Sequence, residues 1–257
     1  MKTTRGLFVG CCLIAVSIPA PAVEAAWMAN GTLVDAGLAG FPVMDLRMVP
    51  DGMCGAAIAW HFGDLGYNSV QRLDWNGDLQ FLPDPVSQTG EFAIGSPEIA
   101  SDMAGGVFIA GVGNTPFMMM AITCSHVGLA GDVVRVDLFT GPFDGWRLEP
   151  RLISDGSGGC VIVWREILTD QYGVKIQRVD SDDNILWTEN GHVVCEASTP
   201  RYGPVLAPDG GGGAIVVWRD FRSGSAALYA QRVYFSGTNL WTADGVQICA
   251  CDASTTP

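Results

Sequence analysis

An all-β fold built from repeated four-stranded units is predicted by three features of the sequence. The stretch "SDGSGGCVIVW", Ser154 to Trp164, returns 54 positions later as "PDGGGGAIVVW", Pro208 to Trp218. Each copy passes from a glycine-rich turn into an apolar, β-branched run and then into an alternating segment such as "VKIQRVD". No window carries a helical period of apolar residues. Self-similarity at a period of about fifty residues marks an array in which each unit is one sheet that buries both faces only by stacking on its neighbours.

The first residues stand apart from this pattern. Lys2 and Arg5 precede an apolar run from Leu7 to Ala20, and "AVEA" places Val23 and Ala25 at the small-residue positions a signal peptidase reads. Residues 1–25 therefore read as a signal peptide, with a mature start at Ala26. The run is short of the roughly 20 residues of a transmembrane helix, and Pro19 and Pro21 end it, so no membrane span is expected. "FVGC", Phe8 to Cys11, imitates a lipoprotein box but lies too close to Arg5 to leave an inserting segment. The expected address is secreted, periplasmic or on the cell surface of a bacterium.

Four units follow, at residues 44–95, 96–146, 147–199 and 200–257, and residues 26–37 read as the tail strand of a unit because "WMANG" resembles "WTENG" and "WTADG". The last two units match without a gap: Asp155 with Asp209, Gln177 with Gln231, Arg178 with Arg232, Trp187 with Trp241 and Cys195 with Cys249. The first unit repeats the opening as "PDGMCGAAIAW", while the second keeps "SPEIASDMAGGVFIAG" and drifts through "FMMMAITC", which reads as altered core. Within a unit, "PRLIS" is the first strand, "DGSGG" a hairpin turn, "CVIVWR" the second strand, "VKIQRVD" the third, and "ILW" opens the fourth after "SDDN". Four-stranded units of this size are those of a β-propeller. A leftover strand at the start and an unstarted unit at the end lead us to expect a piece of a longer repeat protein or an open four-blade arc. An open arc would leave apolar sheet faces for self-association or for continuation with further repeats.

Composition narrows the partners. The formal charge is −13, and Lys175 is the lone lysine beyond the leader. So acidic a chain argues against nucleic acid, which needs clustered positive charge. Six cysteines follow the leader (Cys54, Cys124, Cys160, Cys195, Cys249 and Cys251), and their fifteen full pairings stay open. No C-x-x-C pair exists, which argues against a zinc or thioredoxin-type site.

The segment "DGGGGAIVVWRDFRSGSAALYAQRVYFSGTNLWTADG", Asp209 to Gly245, resembles the repeats of a family of exported bacterial β-propeller-like proteins with the pattern DG-GGAIVVW…YAQRV…LW…G. The likeness is good over Leu148 to Cys251, moderate over Met44 to Leu79 and poor over Val107 to Asp144. It implies an extracellular propeller-like protein and carries over no catalytic residues.

Candidate chemistry is sparse. The "WRE" and "WRDFR" tails offer Trp164, Arg165, Glu166, Trp218, Arg219, Asp220 and Arg222 as a carbohydrate platform beside charged groups. Their repetition favours an architectural role, with both tryptophans between blades and each arginine–acid pair closing a strand end. "DSDDN" sets Asp180, Asp182 and Asp183 at a spacing that suits Ca²⁺, but it lacks the closing glutamate of an EF-hand loop, and solvated turn residues are the favoured reading. "SDGSGG" imitates a sialidase Asp-box without its threonine–tryptophan ending, and a sialidase assignment is rejected. His61, His126 and His192 fall at non-equivalent places. No nucleophile elbow, P-loop, zincin or dinucleotide motif is present, and no cofactor is implied. The expectation is a non-catalytic binding or scaffold module with a protein or carbohydrate partner. The alternative is a propeller-fold glycan-active hydrolase or lyase, recognisable by acids, histidines or arginines converging on one central mouth from separate blades.

Overall fold

The computed structural model describes residues 33–34, 42–62, 67–81, 85–87, 93–114, 120–136, 138–139 and 145–250. The expected signal peptide, the cleavage site, most of the 26–37 tail strand, most of "FMMM" and Cys251 lie outside the described residues. Sixteen strands form four antiparallel sheets, each in sequential order. Blade 1 holds β1 (Val43–Pro50), β2 (Ala56–Phe62), β3 (Tyr67–Leu73) and β4 (Val86–Ser87); blade 2 holds β5 (Ala93–Ser101), β6 (Val107–Asn114), β7 (Met120–Val127) and β8 (Val133–Val136). Blade 3 holds β9 (Trp146–Ser154), β10 (Cys160–Ile167), β11 (Tyr172–Val179) and β12 (His192–Ala197). Blade 4 holds β13 (Arg201–Pro208), β14 (Ala214–Asp220), β15 (Ala227–Val233) and β16 (Val246–Ala250). No described residue is α-helical.

The repeated motif has a mechanical explanation. In every blade the turn aspartate (Asp51, Asp102, Asp155 or Asp209) accepts two backbone N–H bonds at Oδ1, from the residues two and four positions on, at 2.7–2.9 Å. Its Oδ2 faces the third strand, where Arg72, Arg178 and Arg232 bind Asp51, Asp155 and Asp209 at 2.7–2.9 Å. One carboxylate thus fixes the hairpin and staples it to the next strand. The residue just before the second strand must be glycine, because a Cβ on Gly159 or Gly213 would sit on the carbonyl oxygen of Val179 or Val233. The preceding glutamine has its own task. Gln177 donates to Thr188 O at 2.8 Å and accepts from Trp187 N at 2.9 Å, and Gln231 does the same with Thr242 and Trp241. These bonds hold the chain as it turns into the fourth strand.

Three apolar clusters occupy the joints between successive blades. Trp164 packs into the blade 2–3 joint and Trp218 into the blade 3–4 joint, both fully buried, as expected from their repetition. Among the described residues no apolar cluster joins blade 4 to blade 1, and the four described sheets form an arc that is open there.

Blade 2 departs from the pattern. His126 stands where the other blades place arginine: it pairs across from Phe108 in the register that sets Arg178 across from Val161. Its Nε2 is 3.2 Å from Asp102 Oδ2, its Nδ1 is 2.9 Å from Asp183 Oδ1 of blade 3, and its ring stacks on Phe108 at 4.2 Å. His126 thus takes the arginine position of the repeat, obscured in the sequence because Ser125-His126 replaces Gln-Arg. Burial favours the neutral ring, but the hydrogen bond to Asp102 and the charges of Asp183 and Asp102 outweigh it and raise the pKa above 6.5.

Two outcomes are expected. Trp218→Ala should cost about 3–5 kcal/mol in denaturant unfolding, as large core aromatics do; a loss under about 1 kcal/mol is the range of surface changes and would place the side chain outside the core. Because the folded-state pKa of His126 is raised, its stabilising contribution is fully present below the ordinary imidazole value and is lost as pH rises through the raised one. The melting temperature should therefore fall as pH rises above the ordinary imidazole value of about 6.5. His126→Arg should flatten that slope, and equal slopes in the two proteins would refute the assignment.

Candidate functional site

The first strands β1, β5, β9 and β13 pack against one another in succession and so form the inner edge of the arc. Each carries a bulge at the same level. At that level Asp45 (φ 55°), Glu149 (φ 56°) and Gly203 (φ 57°) adopt the left-handed backbone conformation. For a non-glycine residue this costs on the order of 1–3 kcal/mol and persists where surrounding structure imposes it. Two residues further on, the strands present Arg47, Arg151 and Val205, and blade 2 presents Glu98 at the same place, four positions before its turn aspartate.

These side chains reach each other across blades. Glu98 Oε1 lies 3.6 Å from Arg47 Nε of blade 1 and accepts from an Arg151 guanidinium nitrogen of blade 3 at 3.4 Å. Glu149 Oε2 accepts the Gly203 N–H of blade 4 at 2.6 Å, while its Oε1 lies 3.7 Å from Arg165 Nε. The Arg47 and Arg151 side chains are 42% and 41% exposed, and partly exposed pairs of this kind contribute about 1 kcal/mol or less. At Asp45 and Glu149 the bulge holds a non-glycine residue in a conformation it enters only at a cost.

The tails singled out in the sequence divide. Trp164 and Trp218 are inter-blade core and offer no platform. Glu166 is buried between Arg147 Nε at 2.9 Å and Lys175 Nζ at 2.8 Å. Asp220 is buried between Arg201 at 3.2 Å and Arg222 at 2.6 Å, and it also accepts from Trp218 Nε1 at 3.1 Å. Burial alone would raise the Asp220 pKa, but the hydrogen bonds from Arg222 and Trp218 and the Arg201 charge hold it below 3.8. Arg165 and exposed Arg219 lie over the Tyr202 ring at 4.7 and 5.2 Å. Of the seven, Arg165 alone touches the inner-strand row, through Glu149.

The aspartates considered for Ca²⁺ are engaged within the protein. Asp180 Oδ1 accepts the N–H groups of Asp182 and Asn184 at 2.9 and 2.8 Å, Asp182 is exposed on that turn, and Asp183 is tied to His126. Among the described residues no group of three or more His, Cys, Asp or Glu is placed to hold a metal ion. Burial pushes the Cys160 thiol well above its ordinary pKa and that of Cys195 up to about 12, so neither is a thiolate nucleophile at neutral pH.

Sequence reasoning missed the inner-strand row, although a signal for it exists. Counting back from the turn aspartate, "DLR" (Asp45 to Arg47) and "EPR" (Glu149 to Arg151) occupy the same six-to-four interval, and Glu98 falls at its end in the second unit. Aligning forward from the aspartate hid this.

No family model matches the chain, and a search of curated proteins finds no relative. Solved structures of similar fold include the endo-arabinase from Bacteroides thetaiotaomicron (12% identity, TM-score 0.46, covering 82% of this chain and 81% of the other). A Hadza microbial sialidase gives 13% identity and a TM-score of 0.48 over 79% of this chain. The Bombyx mori β-fructofuranosidase gives 12% and 0.44 over 77%. The chain spans just under half the length of these last two, 47% and 48%. At such identities the likeness is one of fold.

The expected non-catalytic binding or scaffold role is corrected. The feature that separates the glycan-active alternative from it, acids and arginines converging on the inner edge from separate blades, is present. Repetition pointed to architecture correctly for the tryptophans, but the inner-strand row differs from blade to blade and lay outside the quoted motif.

The tail acids remain structural under this assignment. Glu166→Gln removes the buried carboxylate that Arg147 and Lys175 share and should cost about 3–5 kcal/mol of stability. Denaturant unfolding checks this, and an unchanged midpoint would contradict the clamp role.

Proposed function

We propose that the protein is an exported glycan-active hydrolase whose reaction centre is the carboxylate–arginine row on the inner strands. The observation that carries the reading is Glu98, held between Arg47 and Arg151 from the two flanking blades, with strained Asp45 and Glu149 displayed beside it. Glycosidic bond cleavage uses two carboxyl groups, one donating a proton to the leaving oxygen and one acting on water or the anomeric carbon. Glu98, flanked by two guanidinium groups, is assigned the second role. Glu149 and Asp45, projected by their bulges, are the proton-donor candidates. Arg165 sits behind Glu149 as a positioning residue.

The basic start, apolar run and "AVEA" support placement outside the cytoplasm, and membership of the exported repeat family belongs to the same proposal. The purified protein should release reducing ends from at least one member of a panel of neutral and acidic polysaccharides. Glu98→Gln and Glu149→Gln should each lower kcat by about 10²–10⁴-fold, the scale of a lost catalytic acid or base, while the melting temperature holds. No release from any polysaccharide, or Gln variants as active as the parent, would overturn the reading.

A further inference from the structure

The blade 3–4 joint has a repeating construction. The side of blade 3 turned to blade 4 carries Val161, Val163, Val174, Ile176 and Val194, all at most 1% exposed. Above them Trp187, 8% exposed, donates its indole N–H to Phe235 O at 2.9 Å. It lies over Gly237, where a Cβ would come within 2.8 Å of its ring. An aromatic ring on a bare glycine recurs at the blade 1–2 joint, where Phe81 meets Gly131.

Fifty-four residues after each of these, blade 4 places Ile215, Val217, Leu228, Ala230 and Ile248, and Trp241 after Trp187. The apolar set is retained, yet Leu228 is 37%, Ile248 54% and Trp241 38% exposed. A sheet face meant for water replaces such positions with polar residues. Blade 1, at the other end of the arc, presents the matching half of the joint. Its turn closes with Asp74 N–H to Asp78 O and Gly77 N–H to Asp74 O, as the blade 4 turn closes with Tyr234 to Thr238 and Gly237 to Tyr234. Gly77 has φ 85° against 82° for Gly237, and exposed Trp75 stands in the place of Phe235.

We propose that the free face of blade 4 is a docking surface for one further four-stranded blade of the same repeat, seated between blade 4 and blade 1. Its chemistry is stated by the two half-joints: an apolar sheet face against Leu228 and Ile248, a bare glycine turn under Trp241, and an aromatic ring for the Gly77 turn. A second copy of the chain fits less well, because its first blade would bring three more sheets into a gap that the same arc bounds.

The test uses the full chain, through Pro257, lengthened by a second copy of residues 201–250. Amide exchange in β16 should slow by roughly ten-fold or more relative to the unlengthened chain, since a strand packed under a neighbouring sheet opens far more rarely than one with a bare face. Leu228→Asp with Ile248→Asp should abolish that protection while leaving the melting temperature of the unlengthened chain nearly unchanged. Unchanged exchange in the lengthened chain would overturn the proposal. So would β16 protection in the unlengthened chain, whether as a dimer (a second copy occupies the face) or as a monomer (its own terminal residues do).

Discussion

Each blade hangs on one buried carboxylate. The turn aspartate binds two backbone N–H groups of its own hairpin and a cation on the third strand, so removing it would release the turn and the strand pairing together. Such a pair adds little net stability once desolvation is counted, but it fixes register, and a one-residue slip in any strand would turn its apolar side away from the joint. The glycines, the glutamine and the tryptophans of the motif all follow from this staple: the chain must pass close behind it, and the fourth strand must be held over it.

The staple also shows how the array accommodates difference. Blade 2 lacks the arginine, and His126 takes its place by reaching one aspartate in its own blade and a second in blade 3. A contact that is internal in the other blades thereby becomes partly inter-blade and titratable. Blade 2 also has Gly111 where its neighbours have tryptophan, and Asn68 of blade 1 lies against that position. Its drifted sequence is thus a different solution to the same packing problem.

The inner edge follows another logic. Positions that make the blades alike are buried and repeated, whereas the positions that gather at the inner edge vary from arginine to glutamate to valine. Sheet stacking forces these unlike residues together without requiring any of them for stability. A repeat array can therefore vary its inner row freely, and the strain at Asp45 and Glu149 marks where that freedom has been used.

The sequence by itself determined the all-β class, the unit size, the hairpin turns and the core role of the repeated tryptophans. Those properties show in turn residues and apolar runs, and repetition makes them visible. Trp164 could be read as core from the text alone, whereas the aspartate staple and the place of Gly159 under the Val179 carbonyl could not. The meeting of Glu98 with Arg47 and Arg151 could not, because those residues are about fifty positions apart and only the stacking angle of successive sheets brings them within reach. The same holds for His126 and Asp183, 57 positions apart, and for the exposure of Leu228 and Ile248, whose sequence is that of buried residues. Whether an apolar strand face is covered depends on what stands next to it, and only the tertiary structure decided that.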